Sequence, residues 1–79
     1  MAIVEMKSPL NEDSILSLWM VKNGDYVIEN QHIAEVENDK VSVEVNAVQN
    51  GIITLNIKAG EKIPAGFTIC CINTDGVRP

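Results

Sequence analysis

Seventy-nine residues make one small domain whose thin core leaves no room for a deep substrate cleft, so a self-contained enzyme with catalytic residues of its own is not expected. Six basic against eleven acidic side chains give a net charge of −5, which repels phosphate backbones and anionic headgroups and argues against nucleic acid and membrane surfaces as partners. With 46% hydrophobic and 22% charged residues the chain should fold. It has no apolar run of bilayer-spanning length and no signal-peptide layout in Met1-Ala2-Ile3-Val4-Glu5, so a cytoplasmic protein is expected, or a mitochondrial-matrix one in a eukaryote.

Short runs rich in Val, Ile and Leu alternate with turn residues and show no sustained helical period, which predicts an all-β fold. Strands are expected over residues 2–7, 15–22, 26–28, 31–37, 41–46, 52–57, 61–63 and 68–72. In the second, Leu16, Leu18 and Met20 compete with Ile15, Trp19 and Val21 for the inner face. Trp19 is expected inside, as a core residue. Asn23-Gly24-Asp25 and Ala59-Gly60-Glu61 read as turns in which glycine takes positive φ. His32 has no acidic or cysteine cluster at ligand spacing, so it is expected to be a strand-edge residue, and no metal site is expected. Val41, Val43 and Val45 are expected to share a buried face, with Ser42 and Glu44 on the wet one. Pro64-Ala65-Gly66 is a third turn. Cys70 and Cys71 are adjacent, should point to opposite faces of the last strand, and read as small apolar residues rather than a disulfide. The domain is expected over residues 1–73, with 74–79 a tail or the start of a linker.

An internal repeat organises these elements. A shift of 36 positions pairs Val21 with Ile57, Lys22 with Lys58, Gly24 with Gly60, Asp25 with Glu61, Val27 with Ile63, Ile33 with Ile69, Val36 with Ile72 and Asp39 with Asp75. Two copies are too few for a solenoid. They predict a flattened barrel or sandwich of two four-stranded antiparallel sheets related by a pseudo-two-fold axis.

The copies differ at one tip. Asn38-Asp39-Lys40 forms a turn between two strands, whereas the equivalent turn, Asn73-Thr74-Asp75-Gly76, has glycine where the first has Lys40. Folding demands no lysine there, and a lysine on a rigid hairpin is an amine held out in solvent. The stretch Glu35-Val36-Glu37-Asn38-Asp39-Lys40-Val41-Ser42-Val43-Glu44-Val45 resembles the modification hairpin of lipoyl domains, usually Glu-Thr-Asp-Lys-Ala followed by an alternating valine strand. Trp19-Met20-Val21-Lys22-Asn23-Gly24-Asp25-Tyr26-Val27 is similar as well. So is the placement of Gly24 and Gly51, 16 residues before and 11 after Lys40.

This resemblance, over roughly residues 3–72, implies a lipoyl domain of the kind found in acyltransferase components of 2-oxo acid dehydrogenase complexes. It implies lipoic acid attached covalently to Lys40, with Glu37, Asn38, Asp39 and Val41 as recognition neighbours. The implied partners are a lipoate ligase or lipoyl transferase, a thiamine-dependent 2-oxo acid decarboxylase, an acyltransferase domain and dihydrolipoamide dehydrogenase; the isolated domain is expected to be monomeric. Asn38 and Val41 stand where the family usually has Thr and a small residue. Segment 7–13 is shorter than the family's loop beside the lipoyl turn, which helps the decarboxylase recognise its carrier, and it lacks that loop's glycines. Biotinyl carriers share the fold but flank their lysine with methionines, where this chain has Asp39 and Val41. Unmodified hairpin domains of transport adaptors generally lack the tip lysine, and the glycine-cleavage carrier is longer and has helices.

Overall fold

The computed structural model describes residues 2–75 of the chain. Eight strands run in the order β1 (Ile3–Lys7), β2 (Ser14–Trp19), β3 (Tyr26–Val27), β4 (His32–Glu37), β5 (Ser42–Asn46), β6 (Gly51–Leu55), β7 (Lys62–Ile63) and β8 (Thr68–Asn73). They form two four-stranded sheets, β1-β8-β6-β3 and β5-β4-β2-β7, in which every pairing is antiparallel. The all-β sandwich read from the sequence is the fold observed. Each predicted strand is present, with ends that match or are shifted by up to three residues.

The sheet orders superimpose if β1 is exchanged with β5, β8 with β4, β6 with β2 and β3 with β7, which is the two-fold relation expected from the repeat. Hydrogen bonds follow it. Asp25 N–H donates to the Lys22 carbonyl at 3.0 Å and Glu61 N–H to the Lys58 carbonyl at 3.2 Å. The acidic side chains return the favour, Asp25 accepting from Lys22 N–H and Glu61 from Lys58 N–H, each at 2.8 Å. At the centre of these turns Gly24 and Gly60 have φ of 92° and 89°, a region closed to most side chains. Asn30 and Gly66, also 36 apart, share the left-handed region at φ 72° and 79°.

The core lies between the sheets. Leu16, Val27, Ile33, Val36, Ile53, Ile63, Ile69 and Ile72 are fully buried, each contributing about 1.5–3 kcal/mol by leaving water. Simple alternation fails at two matched places. The register skips Ile33 in β4 and Ile69 in β8, so Ile33-Ala34 and Ile69-Cys70 are consecutive buried pairs. An extra residue in one strand locally breaks the period of two and bends the strand over the core.

A third irregularity settles the two apolar sets of β2. The register shifts between Leu16 and Leu18, leaving Ser17 unpaired, and the inner face passes from Ser14 and Leu16 to Trp19 and Val21. Leu18, Met20 and Ile15 are exposed, while Trp19 is half-buried against the core, as the sequence suggests. Its indole N–H donates to the Ile57 carbonyl at 2.9 Å.

The valines of β5 depart from expectation. Val45 is buried, Val43 only partly, and Val41 is 47% exposed and lies outside the strand. The alternation is right, but the hairpin runs past the edge of the core, so its inner face becomes wet toward the tip. Cys70 is buried and Cys71 half-buried, both as free thiols. His32 is half-buried, its Nε2 3.1 Å from the Ala34 carbonyl oxygen and 3.6 Å from a Glu35 carboxylate oxygen. Of the tail or linker expected over 74–79, Thr74 and Asp75 form a turn tied to the start of the chain, Thr74 N–H donating to the Ala2 carbonyl at 3.0 Å and Ala2 N–H to Asp75 at 3.1 Å. Residues 76–79, with the glycine expected opposite Lys40, Gly76, lie outside the described residues.

Candidate functional site

Strands β4 and β5 are joined by a turn over residues 38–41 that the Asn38 side chain builds. Asn38 Oδ1 accepts from Lys40 N–H at 2.8 Å and from Val41 N–H at 3.0 Å, while Asn38 N–H donates to the Val41 carbonyl at 2.9 Å. A short side chain that bonds the backbone ahead is what favours Asn at this position. Asp39 and Lys40 are left at the apex, both exposed. Behind them, Glu37 faces Ser42 across the ladder.

The neighbours expected from the sequence divide into two groups. Asn38 shapes the turn, and Asp39 and Val41 flank the amine with exposed side chains. Glu37 is turned away, accepting a hydrogen bond from Ser17 Oγ–H of β2. The carboxylate that meets the Lys40 amine is one that sequence reading missed, Glu12 in the segment between β1 and β2. Its Oε1 lies 3.4 Å from Lys40 Nζ, and its Oε2 lies 3.5 Å from the Asn38 side-chain amide. The Lys40 side chain is still 68% exposed.

Departures from the two-fold relation meet at this tip. The β1–β2 connection has six residues, 8–13, against four in its counterpart, 47–50. Glu12, which reaches the hairpin, lies within the longer connection. Ser17, unpaired in β2, has no counterpart in β6, whose register against β8 is unbroken, and its hydroxyl binds Glu37 at the base of the turn. The unequal connection lengths mark segment 8–13 as the asymmetric one, but nothing in the sequence singles out Glu12 within it.

Among the described residues Lys40 is the only lysine in an ion pair; Lys7, Lys22, Lys58 and Lys62 have none. No pocket is found, and no three His, Cys, Asp or Glu side chains cluster as metal ligands among the described residues. What the turn offers is an exposed lysine side chain at the end of a hairpin. A group attached to Lys40 needs only an accessible amine and a turn that holds it, and both are present.

Comparison with known proteins agrees with this geometry. The family model for biotin and lipoyl attachment, described as biotin-requiring enzyme, matches residues 4–72. The chain is 38% identical to the lipoamide acyltransferase component of the branched-chain alpha-keto acid dehydrogenase complex of Bacillus subtilis, with all of this chain and 20% of that protein covered. It is also 38% identical to the dihydrolipoyllysine-residue acetyltransferase component of the pyruvate dehydrogenase complex of Rhizobium meliloti, covering 90% of this chain and 13% of that one. The chain thus spans a fifth or less of the length of these relatives. Among solved structures, the lipoyl domain of the 2-oxoglutarate dehydrogenase complex of Azotobacter vinelandii superimposes with a TM-score of 0.76 at 25% identity, covering 89% of this chain and 95% of that one. The chain belongs to the biotin/lipoyl attachment family, and its fold is that of a lipoyl domain.

Proposed function

We propose that this domain is a non-catalytic carrier whose Lys40 takes lipoic acid in amide linkage and presents it to the enzymes of a 2-oxo acid dehydrogenase-type complex. The observation that carries this reading is the placement of Lys40. It stands exposed at the apex of a turn braced by Asn38, on a hairpin that projects past the core, in a chain of the lipoyl-domain fold. The names of the relatives, lipoamide acyltransferase and dihydrolipoyllysine-residue acetyltransferase, support a lipoyl rather than a biotinyl load. The flanks Asp39 and Val41 support it too, since biotinyl carriers place methionines there.

A lysine amine is protonated near neutral pH, so a ligase or transferase must bring an activated lipoyl group and accept the protons that Nζ gives up. The chain contributes reach: nothing in the turn crowds Nζ, and Asn38 keeps the backbone of Lys40 in one conformation. When bound, the lipoyl group supplies a dithiolane that carries acyl groups and reducing equivalents, chemistry that belongs to the cofactor. The protein fixes where that arm is rooted. A thiamine-dependent decarboxylase, an acyltransferase domain and dihydrolipoamide dehydrogenase are the partners this role requires.

Intact mass and peptide mapping after incubation with a lipoate ligase test the proposal. One lipoyl group on Lys40 is expected, and none on Lys7, Lys22, Lys58 or Lys62. Modification of Lys40→Arg by the same ligase would overturn the assignment, because arginine keeps the charge but offers no acylatable amine.

A further inference from the structure

Segment 8–13 is anchored at both ends, by Ser8 and Leu10 on one side and by buried Ser14 of β2 on the other, while residues 11–13 between them are held to the rest of the fold by side chains alone. Ser8 N–H donates to the Phe67 carbonyl at 2.8 Å, Leu10 N–H bonds the Ser8 hydroxyl at 3.3 Å, and Leu10 packs against the core. Asn11, Glu12 and Asp13 are exposed. Among the described residues, the only side-chain bonds from this segment to the hairpin are those of Glu12, to the Lys40 amine and to the Asn38 amide. Of these, the bond to Lys40 is the charged one, and its donor is the atom that modification changes.

We propose that Glu12 latches segment 8–13 to the unmodified hairpin and lets go when Lys40 is acylated, so that the segment distinguishes a loaded carrier from an empty one. This rests on Lys40 being the attachment site. In the acylation a bond forms between Nζ and the carboxyl carbon of the activated donor, and the bond from that carbon to its leaving group breaks. Of the three ammonium protons, one stays on the amide, one leaves with the departing group and one passes to solvent. The nitrogen then carries no charge and a single N–H at the root of a bulky arm.

Glu12 keeps only the 3.5 Å contact with the neutral Asn38 amide. Among the described residues, Lys40 is the one cation within ion-pair distance of Glu12. The modified tip presents Glu12 and Asp39 beside a neutral arm, with residues 11–13 released from the hairpin. The unmodified tip presents a paired cation and a closed segment. An enzyme contacting both the turn and this segment meets two different surfaces, and Glu12 sets the difference.

Backbone ¹⁵N relaxation of five samples tests the latch: the unmodified domain, the lipoylated domain, Lys40→Met, which keeps a long side chain without charge or donor, and Glu12→Gln before and after lipoylation. Expected order parameters for Asn11 to Asp13 are near the rigid range of about 0.85 only in the unmodified wild type at low salt, falling toward about 0.6 in the lipoylated protein and in Lys40→Met. Glu12→Gln should be mobile already and unchanged by lipoylation. Salt near 1 M should bring the unmodified wild type to the same state, because exposed pairs are screened. Equal order parameters in unmodified and lipoylated wild type, or a response to lipoylation that survives Glu12→Gln, would overturn the proposal. Intact mass reports the attachment separately: an unchanged mass sinks the carrier reading, while Lys40→Met still reads the latch.

Discussion

The Trp19 indole N–H donates to the Ile57 carbonyl oxygen across 38 positions of sequence, joining the end of β2 in one half of the repeat to the segment after β6 in the other. The bond is partly buried, so its loss leaves the carbonyl without full access to water. Trp19→Phe keeps most of the apolar contact and removes the donor. A loss of about 1 kcal/mol is expected in denaturant melts, with the slope unchanged.

Glycines in this chain serve two different ends, which alanine scanning should separate. At Gly24 and Gly60 an added Cβ would meet nothing within 4 Å, so the cost is backbone strain at positive φ, about 1 kcal/mol each. At Gly51 the same Cβ would lie 2.3 Å from the Asn73 carbonyl oxygen, a backbone atom held in the β6–β8 ladder. Relief requires moving one strand of a sheet, and Gly51→Ala is expected to cost at least about 2–3 kcal/mol. Equal midpoints for the three variants would contradict this division.

Asn38 is predicted to matter more for modification than its exposure suggests. Asn38→Ala removes the acceptor shared by the Lys40 and Val41 amides and should cost about 1 kcal/mol while lowering the kcat/KM of lipoylation through a looser turn. Asn38→Asp retains the acceptor oxygen and should stay near wild type in stability. Lipoylation of Asn38→Ala at the wild-type rate would show that the ligase shapes the turn itself.

The cysteines should react unequally. Burial, with the neighbouring Cys71 adding to it, pushes the Cys70 thiol up to about 12 from 9.0. In the native domain below pH 9, alkylation should mark Cys71 and spare Cys70, and unfolding should expose both. A thiol whose folded pKa is raised binds its proton longer in the native state. Its contribution to stability is therefore full below pH 9 and is lost as pH rises through about 12. Cys70→Ala should show a flatter fall in midpoint across that alkaline window.

Much of this architecture is legible in the chain because its signals are local and doubled. Asn23-Gly24-Asp25 and Ala59-Gly60-Glu61 declare the same turn twice, and the 36-residue shift carries the strands around them. The bulges are not legible, since Ile33-Ala34 and Ile69-Cys70 look like ordinary apolar pairs until a partner strand fixes the register. The same holds at Ser17, whose unpaired place resolves which of the two apolar sets in β2 turns inward. At the tip, Lys40 is visible as the asymmetric residue of the repeat. Glu12 is not, because its role depends on a contact across 28 positions that no local pattern encodes.

The backbone bond between Thr74 and Ala2 brings the two ends of the described chain together beside the β1–β8 ladder. Topologically the sandwich is almost a closed ring, and where the ring is cut is a matter of gene order rather than of packing. A short bridge between these ends, with new termini opened in the exposed turn Pro64-Ala65-Gly66, would reorder the strands without altering a single sheet neighbour. Such a circular permutant should keep the Lys40 hairpin intact. Ala2 and Asp75 lie at one place on the sandwich, so chain leading into the first and out of the second meets the domain like the two strings of a pendant at a single knot.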